Sequence, residues 1–194
     1  MKISNLLLNA ILASALFTSA QLVLANPSPI HRSVVSYNHV GLQYFDQRLD
    51  DYDCRQNGPR LHASKDINGN LFATGAITDV SGNRGCGSTS LAASAGYRIP
   101  FNYSFNVYGT LGVEHTAPDV GNSDTGLVAS IGFRGMLGHR IEADLALAHH
   151  TIYEGNTGIN LGGAYLISRH LAATLDTRLS DHGNSWAAGV RLNF

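Results

Sequence analysis

The sequence predicts an all-β chain folded as a closed, antiparallel, up-and-down transmembrane β-barrel of ten strands, with eight as the alternative. Three observations predict it. Short segments in which apolar and polar residues alternate follow one another from Val34 to Phe194, and a period of two is the mark of a strand with two different faces. Gly, Pro, Asn and Ser punctuate these segments at nearly even intervals, which is the turn chemistry of a ladder of hairpins. Only 14% of the residues are charged and 21 of the 194 are glycine, against about 25% charged and about 7% glycine in an average soluble domain.

A chain of 194 residues suffices for one ordinary domain. Its net charge of −1 provides no basic field, which argues against a nucleic-acid partner. The first 25 residues, MKISNLLLNAILASALFTSAQLVLA, carry one lysine, an apolar run and small residues before Asn26-Pro27. This is the layout of a secretory signal peptide, with cleavage expected after Ala25. Residues 26–33 are then a short N-terminal segment, and 34–194 the barrel. Beyond residue 33 no apolar run approaches the ~20 residues of a membrane helix.

The strands are expected at 34–47, 59–67, 71–79, 88–98, 103–114, 125–134, 139–149, 157–167, 169–179 and 185–194. Tight turns fall at Asn68-Gly69-Asn70, Pro100-Phe101-Asn102, Gly135 to Gly138 and Ser168-Arg169. Longer polar loops alternate with them, at 48–58, 80–87, 116–124, 151–156 and 180–184. Short connections on one side and longer ones on the other fit a transmembrane barrel.

Each strand has an apolar parity, as in Val40, Leu42 and Tyr44, in Leu127, Ala129, Ile131 and Phe133, or in Leu171, Ala173, Leu175 and Leu179. Strands two and three are less regular: Lys65 interrupts the apolar side of the second, and in the third Phe72 competes with Leu71 and Ile77. The opposite parity holds Arg134, Arg140, Glu142, Asp144, Asp176, Arg178 and Arg191. Facing a lumen, these seven form a candidate charge network, because buried charges need partners.

Alternation alone also suits a soluble barrel with a ligand inside, which would turn those charges outward. The aromatics favour the membrane. Tyr97, Tyr103, Phe105, Phe133, Tyr165 and Phe194 lie near the tight-turn ends of their strands, and Tyr44 and Trp186 near the opposite ends. Barrels in a bilayer gather aromatics at both interfaces.

In the last strand Phe194, Leu192, Val190, Ala188 and Trp186 are apolar at every second position. With this strand, the leader and the hairpin ladder, the chain resembles the small bacterial outer-membrane β-barrels that include the barrels of outer-membrane protein A and outer-membrane protein X. Ten strands departs from the eight of those members. The resemblance implies residence in the outer membrane of a Gram-negative bacterium, with tight turns and residues 26–33 in the periplasm. It also implies that Phe194, Leu192 and Val190 form the signal read by the barrel-assembly machinery, and that the lipid bilayer is the standing partner.

Cys54 and Cys86 fall in neighbouring loops on one rim. In an oxidising compartment they are expected to pair, which stabilises the fold by roughly 3 to 4 kcal/mol in the chain-entropy model. His149-His150 with Glu154, and His182 beside Asp181, invite a catalytic reading, but neither meets a geometric test for catalysis. Asp50, Asp51 and Asp53 read as a solvated loop rather than a cation site. No cofactor or metal is expected, and no enzymatic activity. A barrel of ~8 strands is filled by side chains, whereas open channels appear at ~16. The expectation is therefore a lumen plugged by side chains and a structural or surface-interaction role, with a narrow pore as the alternative and an enzyme with a rim site as the second.

Overall fold

The computed structural model describes residues 34–49, 54–83 and 86–194. The leader, residues 26–33 and Asp50, Asp51 and Asp53 lie outside the described residues. Ten strands form one closed antiparallel barrel: β1 His39–Leu49, β2 Cys54–Asn68, β3 Leu71–Gly82, β4 Ser88–Pro100, β5 Phe105–Pro118, β6 Asp124–Leu137, β7 Ile141–His150, β8 Asn156–Leu166, β9 Leu171–Ser180 and β10 Gly183–Asn193. Every strand pairs with its sequence neighbour, and β1 closes the ring on β10 from His39↔Asn193 to Leu49↔Gly183.

The turns at 69–70, 101–104, 138–140 and 167–170 share one end of the barrel, called here the lower end. The upper end carries the connections 50–53, 83–87, 119–123, 151–155 and 181–182. These are shorter than the sequence suggests. The polar stretches expected as loops continue the ladders instead: Arg55 pairs with Arg48, Gln56 with Gly82, and Ser88 with Pro118. Polar residues on both faces of a strand read as loop, yet they suit a wall that rises into water on both sides. The turn expected at Gly135 to Gly138 also moves, because Gly135 stays in the ladder opposite Ala143.

Outward positions are apolar. Leu42, Leu111, Ile131, Leu175 and Val190 lie 48 to 63% exposed, while inward Asn106 and Ala172 are 0% exposed. Tyr97, Phe101, Tyr103, Phe133, Tyr165 and Phe194 are exposed around the lower end, and Tyr44 stands 5.8 Å from Trp186 near the upper end. Lys65 does point outward, but it sits at the lower rim with its ammonium 4.9 Å from the Phe194 ring centre. A long stem can lie along apolar surface there while its head stays wet.

The first strand begins five residues later than expected. Val34 to Asn38 lie outside the ladder, and Val35 and Tyr37 are only 3% and 1% exposed. This segment turns into the lumen at the lower end. There Tyr37 packs on inward-pointing Phe72 at 4.3 Å between ring centres, with Tyr108 at 6.5 Å. Phe72 finds its space because residue 96 is glycine; a Cβ there would meet the Phe72 ring at 2.2 Å.

Candidate functional site

The site is the lumen, and its two ends differ in kind. At the lower end β6, β7 and β10 bring Arg134, Glu142 and Arg191 together. Arg134 donates to Glu142 Oε1 at 2.6 and 2.9 Å, and Arg191 donates to both carboxylate oxygens at 2.9 and 3.1 Å. The three side chains are about nine-tenths or more buried. One carboxylate thus holds two guanidiniums in place by charge-assisted bonds.

Beside this cluster lies the Tyr37 ring, with the Arg98 and Arg134 guanidiniums each 4.6 Å from its centre. Cations over an aromatic face are attracted by its quadrupole. Arg98 in turn pairs with Asp66 at 3.1 Å. Burial pushes the Tyr37 phenol up to about 12, against the opposing pull of Arg134, so the ring stays neutral at any ordinary pH. Tyr108 donates to Asp144 at 2.9 Å, and Gln43 joins Asp176 to Thr174 through hydrogen bonds to both.

Toward the upper end the packing gives way to a cavity of about 1860 Å³, lined from Tyr37 and Phe72 up to Asn122 and Glu154. Its walls carry hydroxyl and amide side chains bonded across the strands, as in Thr110 to Ser130 at 2.6 Å and Ser90 to Thr116 at 2.9 Å. Toward the upper ends of β5, β7 and β9, His150 bonds Glu114 through Nδ1 at 2.7 Å while Arg178 donates to its Nε2 at 2.6 Å. An arginine can only donate, so Nε2 accepts and both ring nitrogens are taken. Arg60 lies 5.9 Å from the Phe45 ring in the same cavity wall.

Six of the seven charges expected in the lumen are found there, in three separate groups. Arg134, Glu142 and Arg191 form the lower cluster; Asp144 and Asp176 bond Tyr108 and Gln43; Arg178 belongs to the upper trio. Arg140 is a correction. Strand β7 begins only at Ile141, so Arg140 lies exposed in the turn and reaches the Tyr165 hydroxyl on the outer face at 3.5 Å. Among the described residues the charges of the lumen balance, with Arg60, Arg98, Arg134, Arg178 and Arg191 against Asp66, Glu114, Glu142, Asp144 and Asp176, and with Arg55 and Glu154 adding one of each at the cavity's rim.

The paired histidines do not make one site, because adjacent strand residues face opposite ways. His149 bonds Thr157 at 2.8 Å, whereas His150 enters the lumen to meet Glu114 and not the loop residue Glu154. Tyr37, Phe72, Tyr108, Glu114, Arg60 and Arg98 are the lumen residues that the sequence pattern did not single out as a set. Cys54 and Cys86 form a disulfide with Cα atoms 6.4 Å apart, joining β2 to the segment before β4 at the upper rim. Among the described residues no cluster of His, Cys, Asp and Glu is arranged to hold a metal ion.

No protein-family model matches the chain, and no curated protein matches it. Several solved structures are similar in shape. A KdgM porin is 11% identical with a TM-score of 0.48, covering 80% of this chain and 99% of that one. An outer-membrane channel from Pseudomonas putida F1 is 10% identical with a TM-score of 0.49, covering 87% and 100%. Neisserial surface protein A is 16% identical with a TM-score of 0.41, covering 82% and 98%. At such values the likeness carries nothing about activity, and the barrel rests on its own strand pairing.

Proposed function

We propose that this chain is an integral outer-membrane barrel of a Gram-negative bacterium, closed to ions at its lower, periplasmic end. Its role is structural or surface-interacting rather than enzymatic, with the upper rim and basin facing the outside. The observation that carries the reading is the inversion of the barrel: leucine, isoleucine and valine point outward around the ring while paired charges fill the inside. Water-exposed apolar surface on this scale is not sustained by a soluble monomer, whereas a bilayer accepts it and tolerates only closed backbone pairing.

Aromatics near both ends of the belt fit the two interfaces of such a barrel. On this reading Phe194, Leu192 and Val190 present the outward face of β10 to the assembly machinery, and the disulfide stiffens the outer rim. The absence of enzymatic chemistry is supported by His150, whose two ring nitrogens are occupied by Glu114 and Arg178. A substrate proton would have to displace one of them.

Extraction and recording test this together. The expected chain stays with membranes through alkaline and high-salt washes, and the refolded barrel shows no steady current in a planar bilayer. Release into the aqueous phase without detergent would overturn the membrane reading. Steady, ion-selective steps from the wild-type barrel would overturn the closed lumen.

A further inference from the structure

We infer that residues 34–38 are a detachable stopper, and that with this strap withdrawn the barrel conducts small hydrophilic solutes with little preference for charge. The inference rests on the outer-membrane reading above. The strap enters the lumen without joining a β-ladder, since β1 pairs with β10 only from His39 onward. Its polar anchors include single hydrogen bonds of a kind that can be exchanged for water. The Val34 amide donates to the Tyr103 carbonyl at 3.0 Å, Arg134 donates to the Ser36 carbonyl at 3.3 Å, the Asp66 amide donates to the Asn38 side chain at 2.8 Å, and the Phe194 amide donates to the Asn38 carbonyl at 3.2 Å.

The strap's closing element is one side chain. Tyr37 fills the lumen between Arg98 and Arg134 and rests on Phe72, while the cavity of about 1860 Å³ begins on its upper side. Withdrawal leaves both arginines with the carboxylates they already hold, Asp66 and Glu142. No bare charge is created, so the walls remain in place when the strap leaves. That separates a stopper from a structural core residue. Among the described residues the arginines and carboxylates of the lumen balance, with Arg55 and Glu154 at the rim adding one of each, which gives the opened lumen no dominant sign and hence no strong selection between anions and cations.

The test is planar-bilayer recording on three refolded barrels: the wild type, a strap variant in which residues 34–37 are replaced by Gly-Ser-Gly-Ser, and Tyr37→Phe. Heat-modifiable gel mobility first shows that each is a folded barrel. If the strap variant does not fold, Tyr37→Ala takes its place. The expected result is a silent wild type, a silent Tyr37→Phe and regular steps from the strap variant, with a reversal potential near zero in a salt gradient. A folded strap variant as silent as the wild type overturns the stopper and leaves the closed barrel standing. Wild type conducting at the level of the strap variant overturns both. Tyr37→Phe conducting like the strap variant removes the ring as the closing element, and a strongly displaced reversal potential removes the charge-balance argument.

Discussion

The two ends of the lumen contain the same residue types and use them differently. At the lower end Arg134, Glu142 and Arg191 are about nine-tenths or more buried, and the Tyr37 ring lies against the Arg134 guanidinium. Higher up, Glu114, His150 and Arg178 make bonds as short; the Glu114 and His150 side chains are 11% and 15% exposed, against 7 to 10% below, and the cavity that both groups line reaches from here to the rim residues Asn122 and Glu154. A buried charge that loses its partner stays unpaired, while a charge beside water is resolvated. Closure and stability are therefore concentrated at one end, and the other is free to meet solutes.

Substitutions can break that contrast, and the largest effect is expected at its base. Glu142→Ala strands two buried guanidiniums and should cost about 3 to 5 kcal/mol, read as a lower urea midpoint for the refolded barrel. Replacing Cys54 and Cys86 with serine should lower stability by roughly 3 kcal/mol or less, and reducing agent should abolish the difference from wild type. Unchanged gel mobility of wild type with and without reductant would argue against the bond. Glu114→Gln, at the hydrated end, should cost only about 1 kcal/mol. If it matched Glu142→Ala, the two ends would not differ as described.

The smallest effect lies in the upper loop 151–155, where Tyr153 and Glu154 take positive φ of 47° and 73°. Left-handed backbone disfavours a side chain by roughly 1 to 2 kcal/mol, so Glu154→Gly should leave the barrel no less stable and up to about 1 kcal/mol more so. A thermal midpoint measured by circular dichroism checks the sign. Gly183, the first residue of β10, shows the reverse case: with φ 141°, a Cβ would meet the Arg48 carbonyl oxygen at 2.0 Å, and Gly183→Ala should lower the same midpoint.

Strand number, closure and the direction of the apolar face were legible because a period of two fixes which residues share a side. The aromatic clusters at the two ends follow from the same parity. Four things escaped for physical reasons. Val34 to Asn38 alternate like a strand, and nothing local distinguishes a segment that pairs from one that turns into the lumen. Strand ends at Cys54, Gly82 and Pro118 were hidden because water on both faces erases alternation. Arg140 carried the right parity but lies one residue before its ladder begins, and parity has no meaning in a turn. The Glu114–His150 contact joins β5 to β7 across the lumen, a distance in sequence that no spacing rule reaches.

The contrast between the ends is tested most directly by cysteine accessibility in the folded, detergent-solubilised barrel, where both mouths meet the reagent. Ser90 lines the upper cavity, whereas Asn106 lies beside Tyr37 at the lower end and is 0% exposed. With the native disulfide intact, a charged maleimide should label Ser90→Cys readily and leave Asn106→Cys protected until the barrel is unfolded. Equal labelling of the two, or faster labelling of Asn106→Cys, would contradict a lumen open above and closed below.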